Sequence, residues 1–276
     1  MVMLLCLVPT LKTGELKSGT IVLTFFSKDK AIFAAESRLR LKRTDNTVGY
    51  SEDGCKVRAI EKRFIFATSG INAFEHIPDS ENSWDGYQAP STLANKVPAD
   101  ASDPVKVLVT LWGEWMERHL NDELARNPEP ILRGKRNDVL TYAMFAGLAR
   151  QAGLTIYRAQ LRCACSGTVK RAVLSIDPVA LETSTMGRFG SEEGADIADE
   201  LLYRKSERAR EEIARWKIQL NGVDKAEQEG AVTVWAAEFV VKYVRSEEIG
   251  GPVDAVEMTS DGRIRWIRRK PNCPDH

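Results

Sequence analysis

The chain contains three histidines, His76, His119 and His276. This number makes a histidine-based triad or a multi-histidine metal site improbable, so catalysis here would need another base. A threonine that begins a mature chain can use its own α-amine, with a pKa of about 7.7–8, to take the proton from its hydroxyl. Thr20 follows Gly19 and opens the first β-rich run, where a β-branched residue is ordinary.

The cysteines offer no comparable pattern. The Cys163-Ala-Cys165 spacing differs from the C-x₂₋₄-C of a structural zinc site, and no second ligand pair lies nearby. The five cysteines are also too few and too unevenly spaced for a disulfide scaffold, so we expect thiols. They are Cys6, Cys55, Cys163, Cys165 and Cys273.

Composition excludes two classes of protein. Lysine plus arginine (39) equals aspartate plus glutamate (39), whereas electrostatic binding to nucleic acid along the whole chain needs a basic excess. No apolar run approaches the roughly 18–20 residues that span a bilayer. The 276 residues are 43% hydrophobic and 28% charged, which is typical of a globular chain with a sizeable core.

The elements that must position Thr20 begin with two hairpins. "TIVLTFFS" pairs with "KAIFAAES", and "CKVRAI" with "RFIFATSG" across a turn at Glu61-Lys62. A surface loop is expected over 84–103, then a helix around 108–119, further strands, and a charged helix over 193–218. Apolar residues from Val232 to Val244 predict another helix, terminated by Gly250-Gly251. A final hairpin turns at Asp261-Gly262.

The order of these elements predicts the fold class. Strands, a helix, strands, two helices and strands do not alternate as a parallel sheet requires. We therefore expect an α+β protein, a four-layer α/β/β/α sandwich of two stacked antiparallel sheets. Residues 1–19 form an expected leader or propeptide, disordered or removable, with a signal peptide as the alternative. Residues 20–270 form the domain, and 271–276 a tail.

Three segments resemble the proteasome-type N-terminal nucleophile (Ntn) hydrolases, which include proteasome subunits and the peptidase ring of the bacterial two-component protease. They are "SGTIVLTFFSKDKAIFAAESR", "CKVRAIEKRFIFATSGI" and "GGPVDAVEMTSDGRIRWI". The resemblance covers most of the chain from Thr20 to about Arg268, although the middle third matches only in its order of elements. It implies the sandwich fold and hydrolysis of peptide bonds.

The resemblance also implies a set of site residues. Thr20 falls on the nucleophile, Glu36 on the family's aspartate and Lys56 on its lysine. Gly70 falls on the glycine whose backbone N–H faces the oxyanion, and Ser191 on a serine that supports the threonine amine. No cofactor or metal is implied.

The chemistry of this set is coherent without the family. A lysine ammonium would lower the pKa of the amine and stabilise developing negative charge, and a carboxylate would hold that lysine in place. We expect the two hairpins to share one sheet, with Glu36 and Lys56 within about 4 Å of each other and Lys56 mostly facing solvent. The plainer interpretation is a structural ion pair beside an ordinary strand threonine.

Some residues depart from the family pattern. Ile21 stands where a small hydroxyl residue is usual, and Glu36 is longer than aspartate. Ser246 and Ile249 occupy a stretch in which active β-type subunits carry an aspartate and a serine. These departures weaken the expectation of activity more than that of the fold.

Three functions therefore remain open. The first is a threonine peptidase or amidohydrolase that cleaves itself between Gly19 and Thr20. The others are a non-catalytic structural subunit of a ring and a small-amide hydrolase of the same superfamily. Expected partners are peptide or protein substrates and further copies in a ring, with an ATPase as an option, and neither nucleic acid nor a membrane span. The expected location is cytoplasmic, with export as the alternative.

Overall fold

A computed structural model of the chain describes residues 13–19, 21–43, 47–77, 82–126, 128–132, 138–166, 169–181, 185–271 and 273. Within these ranges the strands form two antiparallel sheets, one of nine strands and one of five. None of the helices in these ranges is long and apolar enough to cross a membrane.

The larger sheet has the order β11-β10-β9-β7-β1-β4-β5, and β6 and β8 also pair with β7. Its strands are β1 (Thr13–Gly19), β4 (Leu39–Arg43), β5 (Val48–Ser51), β6 (Val57–Ile60), β7 (Phe64–Ile77), β8 (Trp84–Asp85), β9 (Val139–Ala149), β10 (Gly153–Ser166) and β11 (Val169–Pro178). The turn from β6 to β7 has Glu61 and Lys62 at φ 50° and 53°. The connection has three residues between the paired Ile60 and Phe64, and it is closed by a hydrogen bond from the Arg63 N–H to the Ile60 carbonyl oxygen at 2.9 Å.

The smaller sheet has the order β12-β2-β3-β13-β14. Its strands are β2 (Ile21–Phe26), β3 (Lys30–Glu36), β12 (Thr185–Gly190), β13 (Val253–Thr259) and β14 (Ile264–Arg268). β3 is buried along its whole length, because successive residues pack into different apolar clusters on its two faces, Phe33 into one and Ala34 into the other. The predicted hairpins β2/β3, β6/β7 and β13/β14 are confirmed.

The helices are α1 (Ala89–Ala94), α2 (Pro104–Arg126), α3 (Pro128–Leu132), α4 (Glu192–Leu202), α5 (Glu207–Gln219) and α6 (Lys225–Tyr243). α2 packs on β9, β10 and β11, and α6 packs on β2, β3 and β13. A separate apolar cluster joins residues of the two sheets, among them Phe33 of β3 and Ile65 of β7, both 0% exposed.

The predicted four-layer α/β/β/α sandwich is wrong. Strands account for about 42% of the structure and helices for about 33%, as two large antiparallel sheets with six helices in the described ranges, and this composition does not fit four such layers. The helical cover of the larger sheet comes mainly from α2 at its β9–β11 end. Among the described residues, the half formed by β1, β4 and β5 has only the short helix α3 nearby, where Lys42 Nζ donates to the Pro130 carbonyl oxygen at 3.1 Å.

Two local predictions are also wrong. Part of the expected surface loop over 84–103 is β8 and α1, with Trp84, Tyr87 and Leu93 buried. The single charged helix over 193–218 is two helices, since the chain turns through Arg204 at φ 52° and Ser206 caps a new helix. The leader, expected to be disordered or removable, contains strand β1 over residues 13–19, and its removal stays a prediction.

Candidate functional site

A buried ion pair joins the two sheets. Glu36 is the last residue of β3 in the smaller sheet, and Lys56 immediately precedes β6 in the larger one. Lys56 Nζ donates to Glu36 Oε1, and both side chains are 0% exposed. The predicted ion pair is confirmed. The predictions that the two hairpins share a sheet and that Lys56 mostly faces solvent are wrong.

Glu36 also binds the backbone on either side of its own hairpin. Its Oε1 accepts from the backbone N–H of Ile21 at 3.3 Å, and its Oε2 accepts from that of Arg38 at 2.7 Å. The two backbone N–H groups and the ammonium together satisfy a carboxylate that would otherwise be very costly to bury. Burial lowers the pKa of Lys56, and the opposing attraction of Glu36 does not fully offset that effect.

Thr20, the predicted nucleophile, lies outside the described residues. The residues that flank it in sequence both contact the ion pair. The N–H of Ile21 binds Glu36, as above, and a β carbon at Gly19 would lie 2.9 Å from Lys56 Cε. The pair therefore lies at the point where the chain passes from β1 in the larger sheet to β2 in the smaller one.

Gly70, the predicted oxyanion glycine, lies in β7 directly opposite Gly19 of β1. Its φ is +84°, and a β carbon there would overlap the carbonyl oxygen of Leu140. Both facts require glycine at this position. Asn72 Nδ2 donates to the Gly70 carbonyl oxygen at 3.0 Å and holds the orientation of that peptide group.

Ser191 caps a helix. Its hydroxyl oxygen accepts from the N–H of Gly194 at 3.2 Å, at the first turn of α4. Ser191 also lines a cavity of about 730 Å³ to which Gly19 and Gly70 contribute. The structure thus places Ser191 and Gly70 in one cavity, whereas Glu36 and Lys56 are fully buried and do not line it. The capping role of Ser191 explains its residue type without catalysis.

The remaining polar lining of the cavity comes from both sheets and from the start of α4. Charged side chains of both signs line it, namely Arg40, Lys42, Arg188, Glu192, Glu193 and Glu248, together with Ser246 of the stretch that departs from the family pattern. A cavity of this size lined by charges of both signs suits a polar ligand such as a peptide better than a small apolar one. Within the described ranges, no group of three or more His, Cys, Asp or Glu residues could hold a metal ion.

Tyr87 belongs to the site but was missed in the sequence. It is 4% exposed, its hydroxyl would lie 3.0 Å from a β carbon at Gly19, and burial raises its pKa above the ordinary value. The signal that could have found it is the pair of aromatic residues, Trp84 and Tyr87, within an otherwise polar segment, because large aromatic side chains are usually buried.

A disulfide adjoins the ion pair. Cys55, next to Lys56 in sequence, is bonded to Cys273, and their Cα atoms are 5.6 Å apart. The expectation of thiols is wrong for these two residues. The predicted tail is therefore anchored at Cys273, which is 1% exposed.

Comparison with known proteins gives no assignment. No protein-family model matches the chain, and no curated protein is significantly similar to it. The function must therefore be argued from the site itself.

Proposed function

We propose that the protein is a threonine-type peptidase or amidohydrolase that cleaves its own chain between Gly19 and Thr20. The observation that carries the proposal is the position of β1. This strand lies between β7 and β4, is paired with both, and ends at Gly19 beside the Lys56–Glu36 pair. An extended segment that adds a strand to a sheet and ends at reactive groups is a recognised mode of peptide binding.

Self-cleavage would proceed through an ester. The Thr20 hydroxyl oxygen bonds to the carbonyl carbon of Gly19, and the carbon–nitrogen bond between the two residues breaks. The hydroxyl proton passes to the released nitrogen, which becomes the α-amine of a new N-terminus. Water then hydrolyses the ester and releases residues 1–19 as a carboxylic acid.

The same groups would then act on peptide substrates. The free amine of Thr20 takes the hydroxyl proton as the oxygen attacks the substrate carbonyl, and it later gives that proton to the leaving amine. Lys56 supplies a fixed positive charge in a site closed to water, where such a charge stabilises the transition state most. Glu36 fixes the position of Lys56. The N–H of Gly70 is the donor proposed for the carbonyl oxygen.

The experiment that tests the proposal is the intact mass of the full-length protein produced in its own host. We expect the mass to fall by that of residues 1–19, and we expect Thr20→Ala to prevent this loss. A wild-type protein that keeps its leader would contradict the threonine nucleophile.

One observation favours the second candidate, a non-catalytic structural subunit. β1 is paired on both edges, so an uncleaved chain would keep two complete ladders that cleavage puts at risk. This candidate expects an intact leader together with a ring-sized native mass. Measuring both masses on the same sample separates the two functions.

We also propose export over a cytoplasmic location. The Cys55–Cys273 disulfide carries this proposal, because disulfides persist in oxidising compartments and are rare in the cytosol. Alkylation of free thiols in the protein from its host, followed by mass measurement, tests it. Modification at both cysteines would contradict export.

A further inference from the structure

The space around Gly19 is closed on the side where an amino-acid side chain would project. A β carbon there would lie 2.9 Å from Lys56 Cε, 3.1 Å from Lys56 Cδ and 3.0 Å from the Tyr87 hydroxyl oxygen. These distances are shorter than ordinary carbon contacts of about 3.5–4.0 Å. We propose that Tyr87 is a specificity-determining residue that restricts the acyl side of the cleaved bond to glycine. This inference rests on the proposed peptidase function.

The backbone at Tyr87 and the side chain of Lys56 are both held in place. The Tyr87 backbone N–H donates to Asp85 Oδ1 at 2.8 Å, and β8, which contains Asp85, is paired with β7. The carbonyl oxygen of the preceding Gly86 accepts from Trp112 Nε1 at 3.0 Å. Lys56 is buried and held by Glu36.

Apolar packing holds the ring of Tyr87 as well. Tyr87 forms a small buried cluster with Leu39 and Ala73, which lie on β4 and β7, the two strands that flank β1. A close-packed interior transmits a volume change rather than absorbing it. Even one added methyl group at the position of Gly19 should therefore displace neighbouring side chains and weaken binding.

The rest of β1 indicates what a substrate would need further from the cleaved bond. Leu16 is 4% exposed and belongs to the cluster that contains Ile71, Ile131 and Leu140. Lys17 and Ser18 are only partly buried. A substrate that occupies the place of β1 would therefore carry glycine immediately before the cleaved bond and leucine three residues earlier. The two positions between them would accept various side chains.

The test uses a probe copied from the leader, acetyl-Leu-Lys-Ser-Gly-aminomethylcoumarin, and the same peptide with alanine in place of glycine. With the mature wild-type protein we expect kcat/KM for the glycine probe to exceed that for the alanine probe by about 10- to 200-fold, as for one unaccommodated methylene-sized group. Tyr87→Phe removes the hydroxyl oxygen and should reduce this ratio. Tyr87→Ala should reduce it further.

The matched control is Tyr203→Phe, because Tyr203 is 68% exposed and distant in sequence from the site. In Tyr203→Phe, the ratio of kcat/KM for the glycine probe to that for the alanine probe should equal the ratio in the wild type. Because Tyr87→Ala also empties a buried site, Tyr87→Phe keeps the test valid if the alanine variant does not fold.

The outcomes separate this inference from the function on which it rests. Equal cleavage of both probes by the wild type, or an unchanged ratio in Tyr87→Phe, would overturn the role of Tyr87 and leave the peptidase intact. A wild type that keeps its leader and cleaves neither probe would overturn the proposed function, and this inference with it. A glycine preference that Tyr87→Phe reduces supports both.

Discussion

Lys56→Met removes the positive charge beside Glu36 while keeping an unbranched side chain of similar length. We expect the free energy of unfolding to fall by about 3–5 kcal/mol, because the change leaves a buried carboxylate without its counter-ion. The two side chains are 0% exposed, so little water is available to replace the ammonium. An exposed ion pair would contribute only about 0–1 kcal/mol.

The remaining hydrogen bonds of Glu36 refine this magnitude. After the substitution its carboxylate still accepts from the backbone N–H groups of Ile21 and Arg38. These donors stabilise the charged form, so the loss should lie near the lower limit, at about 3 kcal/mol. The rate of leader removal should fall by about 10²–10³, the usual effect of removing one preorganised electrostatic group.

The stability assay is urea unfolding followed by circular dichroism, with every variant built on Thr20→Ala so that all chains keep the leader. Lys56→Met, Glu36→Gln and the double variant complete a cycle. We expect the double variant to be less destabilised than the sum of the two single variants, because removing both partners leaves no unpaired buried charge.

The matched control is Arg263→Met. Arg263 pairs with Asp261 at 2.7 Å, but its side chain is 83% exposed, so the loss should stay within about 1 kcal/mol. If Lys56→Met lost no more than this control, the structural argument for a buried and coupled pair would be refuted. Additive single variants would refute the coupling.

Three further predictions follow from the site. In a pH profile, kcat/KM should rise as the Thr20 amine loses its proton, at a pH below the ordinary pKa of about 7.7–8 because Lys56 lies nearby. It should fall as Lys56 loses its own proton, at a pH below the ordinary pKa of 10.5. The double variant Cys55→Ser/Cys273→Ser should lose about 2–4 kcal/mol in urea unfolding, and an unchanged midpoint would contradict a stabilising disulfide. Gly70→Ala should lower the free energy of unfolding by about 1–3 kcal/mol, because of the φ of +84° at this position, and it should prevent removal of the leader. A thermal melting temperature equal to that of the wild type, together with a cleaved chain, would count against this.

Local patterns predicted the hairpins well. β2/β3, β6/β7 and β13/β14 each combine β-rich runs with short turns, so sequence neighbours pair and their register follows from the turn. The ion pair was also predicted, from the resemblance of its residues to a family. The sequence did not predict which sheet each hairpin joins. That depends on pairings between distant segments, such as β3 with β13 and β7 with β9.

Strand β1 could not be predicted for a related reason. Its sequence, TGELKSG, has one large apolar residue, Leu16, and therefore lacks the alternation of a half-buried strand. It is extended because β4 and β7 offer hydrogen-bonding edges on both sides, which is a property of the assembled sheet. The missed role of Tyr87 has the same origin, since only the folded chain brings it to Gly19.

The crossing between the sheets connects these observations. β1 belongs to the larger sheet and β2 to the smaller one, so cleavage between Gly19 and Thr20 would remove one covalent link between them. The Lys56–Glu36 pair spans the sheets at this place, and a shared apolar cluster lies between them, so both would keep the sheets together. The described part of the leader would then be held by its ladders to β4 and β7, by Leu16, and by the ion pairs of Glu15 with Arg43 and of Lys17 with Glu75. Its departure would expose two strand edges beside the ion pair, which is the geometry that a peptide substrate needs.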